Sequence, residues 1–182
     1  MRAADMVPRD ADLPGGRWLA IDEGFSAGGG EGPGAMFDCV GPHFPEDAVV
    51  ESAASPHFVR PPSALVHGIG VRFESSAAAV AAEGVLSGPD FAGCLGRSVA
   101  ADLEHDTTDA ELLAVDVAET PYGHRVRFTG GDADGVRPVN LEIACLRVDE
   151  AVGVLWFGDS PGGFPPDDIA HLVDRIRARR GV

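Results

Sequence analysis

The sequence contains no lysine and no glutamine, so all 14 of its basic side chains are arginines. They are outnumbered by 29 carboxylates, and the formal net charge is −15 at pH 7. Nucleic-acid binding needs a basic surface that neutralises phosphates, so this balance excludes nucleic acid as the expected partner. It also disfavours an anionic membrane surface. The charge favours solubility and says nothing about the fold.

Long hydrophobic runs are also missing. No stretch approaches the roughly 18–20 apolar residues that a membrane-spanning helix needs. The first ten residues, MRAADMVPRD, lack the apolar centre of a signal peptide. We therefore expect either a cytosolic chain or one whose export or anchor segment is missing. The 182 residues, 45% of them hydrophobic, predict a single domain with a disordered or linker start at residues 1–11.

Cysteine is scarce: only Cys39, Cys94 and Cys145 are present. Three cysteines allow at most one internal disulfide, and the absence of CxxC spacing disfavours a structural zinc site. Cys94 falls inside a helical pattern rather than on a strand-to-helix elbow. A Cys39–Cys94 disulfide is therefore favoured over a catalytic Cys94, although six histidines leave a possible base. Cys145 lies on the apolar face of a strand and is interpreted as a buried free thiol.

Hydrophobic periodicity predicts the remaining elements. A half-buried strand over 64–75 leads into an Ala-rich helix capped by Ser75 or Ser76. The terminal helix is indicated by apolar residues at helical spacing, with acidic residues at its start and arginines at its end. The Gly-rich segment 23–35 is typical of a flexible loop. Further strands are predicted over 111–120, 123–130, 139–148 and 152–159.

Successive strands with short connections form antiparallel sheets, and grouped helices cover a sheet face together. The pattern therefore predicts an α+β fold with two layers: a mostly antiparallel sheet with helices packed on one face.

The polar face of this predicted sheet is the first candidate site. It carries Arg72, Arg125, Arg127, Asn140 and Glu142, all opposite the apolar face. If the strands are adjacent, three arginines gather there in an otherwise acidic protein. Such a cluster is suited to an anionic or polar ligand. The alternative is a solvent-exposed face with cross-strand Arg–Glu pairs.

Two other features have a functional and a structural interpretation. His67, on the apolar face of the 64–75 strand, either lines a ligand cavity or senses pH, or is a core histidine with a backbone or hydroxyl partner. The acidic stretch DLEHDTTDAE at 102–111 lacks the spacing and the central glycine of a calcium loop. A solvated helix end is therefore favoured over a metal site, and no metal or cofactor is expected.

The order of several motifs resembles a known family. DLPGGRW, a first cysteine some twenty residues later, VRFESSAAAVAAEGVLSGPDFAGCLG and the closing LRVDEAVGVLWF together resemble the PknH-like extracellular sensor domain family. Its members are domains of actinobacterial envelope lipoproteins and of receptor Ser/Thr kinases. The resemblance implies a secreted or surface-anchored α+β domain, with a cleft for an extracellular ligand and no catalytic residues or cofactor. By position, Cys39 and Cys94 match the first of two disulfides in the kinase domain. Cys145 has no obvious partner, so the second disulfide is absent from this chain.

These inferences predict a non-enzymatic, extracytoplasmic sensor-like or ligand-binding domain of an actinobacterial envelope protein. Its ligand is expected to be a small molecule or an envelope component of unknown identity. The alternative is a PsbP/Mog1-like scaffold that binds a protein partner through a surface. A cysteine enzyme would need Cys94 or Cys145 within hydrogen-bonding reach of a histidine. The candidate ligand-binding residues are Arg72, Arg125, Arg127, Glu142 and His67.

Overall fold

The computed structural model describes residues 1–21, 39–61, 64–94, 111–132, 135–159 and 164–179. In 111–116, 128–132, 135–139 and at 159 the description is of the backbone alone. The Gly-rich segment 23–35 and nearly all of the acidic stretch 102–111 lie outside these residues. The strands are β1 (Leu19–Ile21), β2 (Val49–Ala54), β3 (His57–Arg60), β4 (Ala64–Phe73), β5 (Glu111–Thr120), β6 (Gly123–Asp132), β7 (Gly135–Val148) and β8 (Ala151–Asp159). The helices are α1 (Ser76–Leu86) and α2 (Pro166–Arg177), and residues 89–94 are also helical.

All of these strands belong to one antiparallel sheet, with the order β1-β3-β4-β8-β7-β6-β5. Strand β2 lies beside β4 as well, so β2 and β3 share the same edge of β4. The predicted hairpins from β5 to β8 are confirmed. Strands β2 and β3 were not predicted.

Both helices begin where local chemistry favours it. Ser75 is the N-cap of α1, and its side chain accepts a hydrogen bond of 3.2 Å from the backbone N–H of Ala78. Helix α2 starts at Pro166, a residue whose fixed φ suits the first helical position. Carboxylates occupy the first turn of α2 and arginines its last turn, which complements the helix dipole.

Alternation along the strands creates two hydrophobic cores, one on each side of the sheet. On the first side, which we call the α1 face, α1 and Phe91 pack against Ile69, Val154 and neighbouring side chains. On the opposite side, the α2 face, α2 packs against Val66, Phe157 and their neighbours. The α+β class and the antiparallel sheet are confirmed, but the helices cover both faces rather than one. The physical reason is that β4 and β8 are apolar on both sides, so a single helical layer leaves one side in water.

Residues 1–13 form a packed segment on the α2 face, which we call the N-terminal strap. Ala3 and Met6 are fully buried. A Cβ at Gly70 would lie 2.2 Å from the carbonyl oxygen of Ala3, and one at Gly153 would lie 2.8 Å from that of Met6. These two strand glycines therefore let the strap backbone approach the sheet directly. The prediction of a disordered or linker start at residues 1–11 is therefore wrong, because these residues pack against the sheet.

Arg179, just beyond α2, joins the strap to the C-terminal end of that helix. Its guanidinium donates hydrogen bonds to the carbonyl oxygens of Asp5 (2.7 Å) and Val7 (2.8 Å). It also forms an ion pair with Asp12, and the side chains are only 13% and 7% exposed. The strap is thus held by its apolar residues against the sheet and by charge against α2.

The Cys39–Cys94 disulfide is present, with a Cα–Cα distance of 5.5 Å. It joins the segment before β2 to the helical residues 89–94. Val40 and Phe44 beside it are buried in the core of the α1 face. Within the described ranges, no helix has the length and apolar character needed to cross a membrane.

Candidate functional site

The residues predicted for the polar face do share one face of the sheet: Arg72, Arg125, Arg127, Asn140 and Glu142. Arg125 is paired in register with Glu142, and Arg127 with Asn140. Glu142 alternates with Ile143 and so lies on the same side as Ala144, which belongs to the core of the α2 face. That face is partly covered by α2 and the strap, not open as the predicted two-layer fold required.

Arg72 does not join the other arginines. It lies opposite Ala151 and forms an ion pair of 3.1 Å with Glu51 on β2. Arg125 is three strands away and six residues further along the strand direction. Strand spacing and rise place the two Cα atoms roughly 25 Å apart. The predicted cluster of three arginines therefore does not form around Arg72.

His67 lies on the opposite face, within the core of the α1 side. Its ring stacks on His57 with a centroid distance of 4.1 Å and meets Trp156 edge-on at 4.9 Å. Its Nδ1 is 3.4 Å from the hydroxyl of Ser55. Burial, together with a smaller contribution from the neighbouring His57, lowers the pKa of His67 to about 4. This placement matches a core histidine that stays neutral, and it separates His67 from the arginines by the thickness of the sheet.

A cleft of about 260 Å³ opens on the α2 face, between the end of the β5–β6 hairpin, β7 and the first turn of α2. Two of the predicted site residues, Arg125 and Glu142, line it. Arg127 is exposed two residues along β6, outside the lining. The other lining residues are Ala118, Glu119, Thr120, Pro121, Tyr122, Ile143, Ala144, Pro166 and Ile169.

Arg125 and Glu142 form an ion pair inside this cleft. The Nε of Arg125 donates a hydrogen bond to Oε1 of Glu142. The Glu142 side chain is 4% exposed, whereas that of Arg125 is 44% exposed. A buried carboxylate is costly unless it is paired, so the charge of Arg125 is largely committed to Glu142. The pair gives the floor of the cleft polar groups whose charges nearly cancel.

The cleft walls are shaped by the turn between β5 and β6. Gly123 has φ +154°, and a Cβ there would lie 2.3 Å from the carbonyl oxygen of Ile143. Any other residue would push this turn away from β7, so the glycine allows Pro121 and Tyr122 to stand beside the sheet.

Sequence reasoning missed Tyr122, Pro166 and Ile169 as site residues. Ile169 is one of the apolar residues whose spacing predicted the terminal helix. Its position in the cleft depends on which face of the sheet that helix covers, and no local pattern specifies this. Two signals pointed to Tyr122. It is the one tyrosine in the sequence, and it lies in a predicted hairpin turn between Pro121 and Gly123.

The cysteines do not form a nucleophilic site among the described residues. Cys94 is in the disulfide, and no described histidine is hydrogen-bonded to Cys145. Burial, together with a smaller contribution from the carboxylate of Glu83, raises the pKa of the Cys145 thiol to about 12. A nucleophilic cysteine needs the opposite shift, because the thiolate is the reactive form. This arrangement does not favour the cysteine-enzyme hypothesis.

No protein-family model and no curated protein matches the chain. Solved structures similar to it include the extracellular domain of PknH from Mycobacterium tuberculosis, with 12% identity and a TM-score of 0.40, covering 76% of this chain and 68% of that one. Another is LpqN, involved in cell envelope biogenesis of Mycobacterium tuberculosis, with 11% identity and a TM-score of 0.32, covering 93% and 76%. These are distant resemblances at the level of the fold, and they carry no argument about function.

Proposed function

We propose that this protein is a non-enzymatic, extracytoplasmic, sensor-like domain that binds a small ligand in the cleft beside Arg125 and Glu142. The observation that carries the proposal is the combination of apolar walls with one ion pair whose carboxylate is buried. Ligand sites are typically concave and mostly apolar, with a few polar groups that orient the ligand. At about 260 Å³ the cleft is slightly smaller than the roughly 300–1,000 Å³ typical of drug-sized sites. A small molecule is therefore the fitting occupant.

The extracytoplasmic location is supported by the Cys39–Cys94 disulfide, because disulfides persist in oxidising compartments and are rare in the cytosol. Alkylation of free thiols in denaturant, applied to protein taken from its native cells, tests this directly. One alkylated cysteine before reduction and three after it are expected. Three alkylated cysteines before reduction would contradict an extracytoplasmic location.

Ligand binding is tested by screening small fragments, charged and neutral, by NMR on the ¹⁵N-labelled protein. Fragments that bind the cleft are expected to shift the amide signals of Thr120, Tyr122 and Ala144. Ala118→Trp should remove these shifts, because a large ring at this exposed lining position fills the cleft from its rim.

Val117→Trp is the matched control. Val117 is exposed on the same strand, but its side chain belongs to the opposite face, since it is paired with the α1-face residue Val126. The Val117→Trp variant should bind the fragments as tightly as the wild type does. A screen without hits in the cleft, or hits that survive Ala118→Trp, would overturn ligand binding at this site.

One observation favours the alternative of a protein-interaction domain. Leu19 and Ile21 on the short strand β1 are 45% and 43% exposed. They are two residues apart, so both side chains lie on the same side of that strand. Exposed apolar side chains at a sheet edge are typical of surfaces that pair with another chain. Under this alternative, a photo-crosslinker at Leu19 captures one defined envelope protein, Ile21→Arg abolishes the capture, and the fragment screen finds nothing in the cleft.

A further inference from the structure

We infer that the ligand of the cleft is uncharged and carries a carbonyl oxygen on a short apolar body, as a simple amide does. This inference rests on the proposed function, because it names the chemistry of the ligand for the same site. The arginine pattern of the sequence suggested an anionic or a polar ligand, and the arrangement of the cleft favours the second.

The first argument is the charge that faces the cleft. Arg125 and Glu142 lie in register on the α2 face and form an ion pair, so their charges nearly cancel. Glu119 adds no charge to this balance. It is in register with His124, which is in register with Ile143 of the α1-face core, so its side chain belongs to the opposite side of the sheet. Among the lining residues, no uncompensated charge is therefore left for a ligand.

A charged ligand would disturb the ion pair on the floor of the cleft. An anion would share Arg125 with the buried carboxylate of Glu142, which depends on that guanidinium. A cation would compete with Arg125 for the same carboxylate. Either ion would also leave water for a mostly apolar cleft that offers it no free counter-charge. An uncharged ligand avoids both penalties.

The acidic surroundings of the cleft act on a ligand only weakly. Asp167 and Asp168 occupy the first turn of α2, outside the cleft lining. The positive end of the helix dipole lies at the same turn and opposes their charge. Salt weakens what remains of this field. The groups in contact with the ligand therefore decide its charge.

Outside the ion pair, the polar groups of the lining are mainly hydrogen-bond donors. Arg125 bonds to Glu142 through Nε, and its terminal nitrogens form no hydrogen bond with any residue that the structure describes. A guanidinium donates and cannot accept. The hydroxyls of Thr120 and Tyr122 add groups that both donate and accept. A carbonyl oxygen, which only accepts, therefore matches this lining better than an ammonium group, which only donates.

The apolar walls specify the rest of the ligand. Tyr122 packs against the hydrophobic core of the α2 face, Ile169 belongs to that core, and Pro166 lies beside them in the lining. An alkyl or aryl body gains free energy by leaving water for such walls. The cleft volume of about 260 Å³ suits a body of a few carbon atoms.

The test compares hexanamide, hexanoate and hexylammonium, which have the same six-carbon chain and differ in charge. Each is titrated at pH 7 into the ¹⁵N-labelled protein, in about 0.15 M salt to screen the overall charge of the protein. The dissociation constant is taken from the amide shifts of Thr120, Tyr122 and Ala144. We expect hexanamide to bind at least fivefold more tightly than either ion. 2-Hexanone, an uncharged carbonyl compound without an N–H group, should bind about as tightly as hexanamide.

Arg125→Lys tests the role of the free donors. It keeps a positive charge for Glu142 but removes the planar fork of N–H groups. Hexanamide binding should weaken about fivefold, the size expected for the loss of one hydrogen bond. Arg127→Lys is the matched control. Arg127 is exposed two residues along the same strand and outside the lining, so this variant should bind hexanamide as the wild type does.

The outcomes separate the two proposals. If hexanoate or hexylammonium binds the cleft most tightly, or if Arg125→Lys weakens hexanamide no more than Arg127→Lys, the inferred ligand chemistry is wrong while ligand binding at the cleft stands. If none of these probes shifts the cleft amides, the inference is also wrong, and an empty fragment screen then overturns the proposed ligand-binding function itself.

Discussion

The two faces of the sheet are both apolar, yet they are covered in different ways. On the α1 face, side chains of α1 and of the 89–94 helix pack into one core, and the Cys39–Cys94 disulfide lies beside it. On the α2 face, a strap of backbone lies over strand glycines and is held to α2 by Arg179. Both faces are closed by packed apolar side chains. The first is reinforced by a covalent bond, the second by main-chain contact and charge.

This difference explains where the cleft lies. Helix α2 and the strap cover the α2 face over β4, β8 and part of β7. Toward β5 and β6 the cover stops at the first turn of α2, and the cleft occupies the space beyond it. A face covered by one helix and one strap thus leaves room for a ligand at its margin.

The largest effect is expected from removing the disulfide. Cys94→Ser should lower the free energy of unfolding by about 4 kcal/mol, because the bond closes a loop of 55 residues and restricts the unfolded chain. Urea denaturation measures this loss. Cys145→Ser leaves the disulfide intact and should cost far less. In the presence of a strong reductant, the wild type should become as unstable as Cys94→Ser, and a persistent difference would count against the loop-closure explanation.

The second effect is a pH dependence of the unfolding free energy that we assign to His67 on the α1 face. Burial holds the pKa of His67 at about 4 in the folded protein, against 6.5 in an unfolded chain. Between these two values the unfolded state binds more protons, so the free energy of unfolding falls as the pH is lowered from 6.5 to 4. The loss assigned to His67 is about 3 kcal/mol. Denaturation of both proteins between pH 4 and 6.5 measures how the free energy of unfolding changes with pH. This change should be smaller in His67→Gln than in the wild type.

His171 provides the comparison from the other side of the sheet. It is exposed on α2, so His171→Gln should retain the pH dependence of the wild type. Equal slopes for His67→Gln and the wild type would mean that His67 is not the buried neutral group described above.

The third effect concerns the strap. Gly70→Ala places a methyl group where the carbonyl oxygen of Ala3 now lies, so the strap has to move away from β4. We expect a loss of about 2 kcal/mol in unfolding free energy and faster proteolysis within residues 1–13. Gly158→Ala is the control, because its Cβ would meet Leu65 at an ordinary 3.5 Å. Similar results for the two variants would argue against backbone contact as the means of closing the α2 face.

Several features of this fold could be predicted from local patterns. The alternation over 64–75 and the apolar spacing in 166–177 each specify their own element. The Ser75 cap and the pairing of Cys39 with Cys94 followed from residue type and position, and the structure contains both. These predictions needed only the period of a strand or helix, the chemistry of a helix end and the small number of cysteines.

The features that were missed depend on contacts between distant parts of the chain. β2, with the sequence VVESAA, has too weak an alternation to be recognised before it pairs with β4. The face covered by α2 depends on the path of the chain after β8. Arg72 and Arg125 were correctly placed on one face, but their separation depends on strand order and register, which the alternation pattern does not contain.

The strap has a consequence for how the chain acquires its structure. Its anchor, Arg179, is made more than 160 residues after the strap itself, and the groove that receives the strap exists only once β4 and β8 have paired. Contacts of such long sequence separation form slowly, so the strap, although synthesised before β4 and α2, is expected to dock after them. Until β4, β8 and α2 have been made and have packed together, Ala3 and Met6 stay exposed, and a chaperone could bind them during this period.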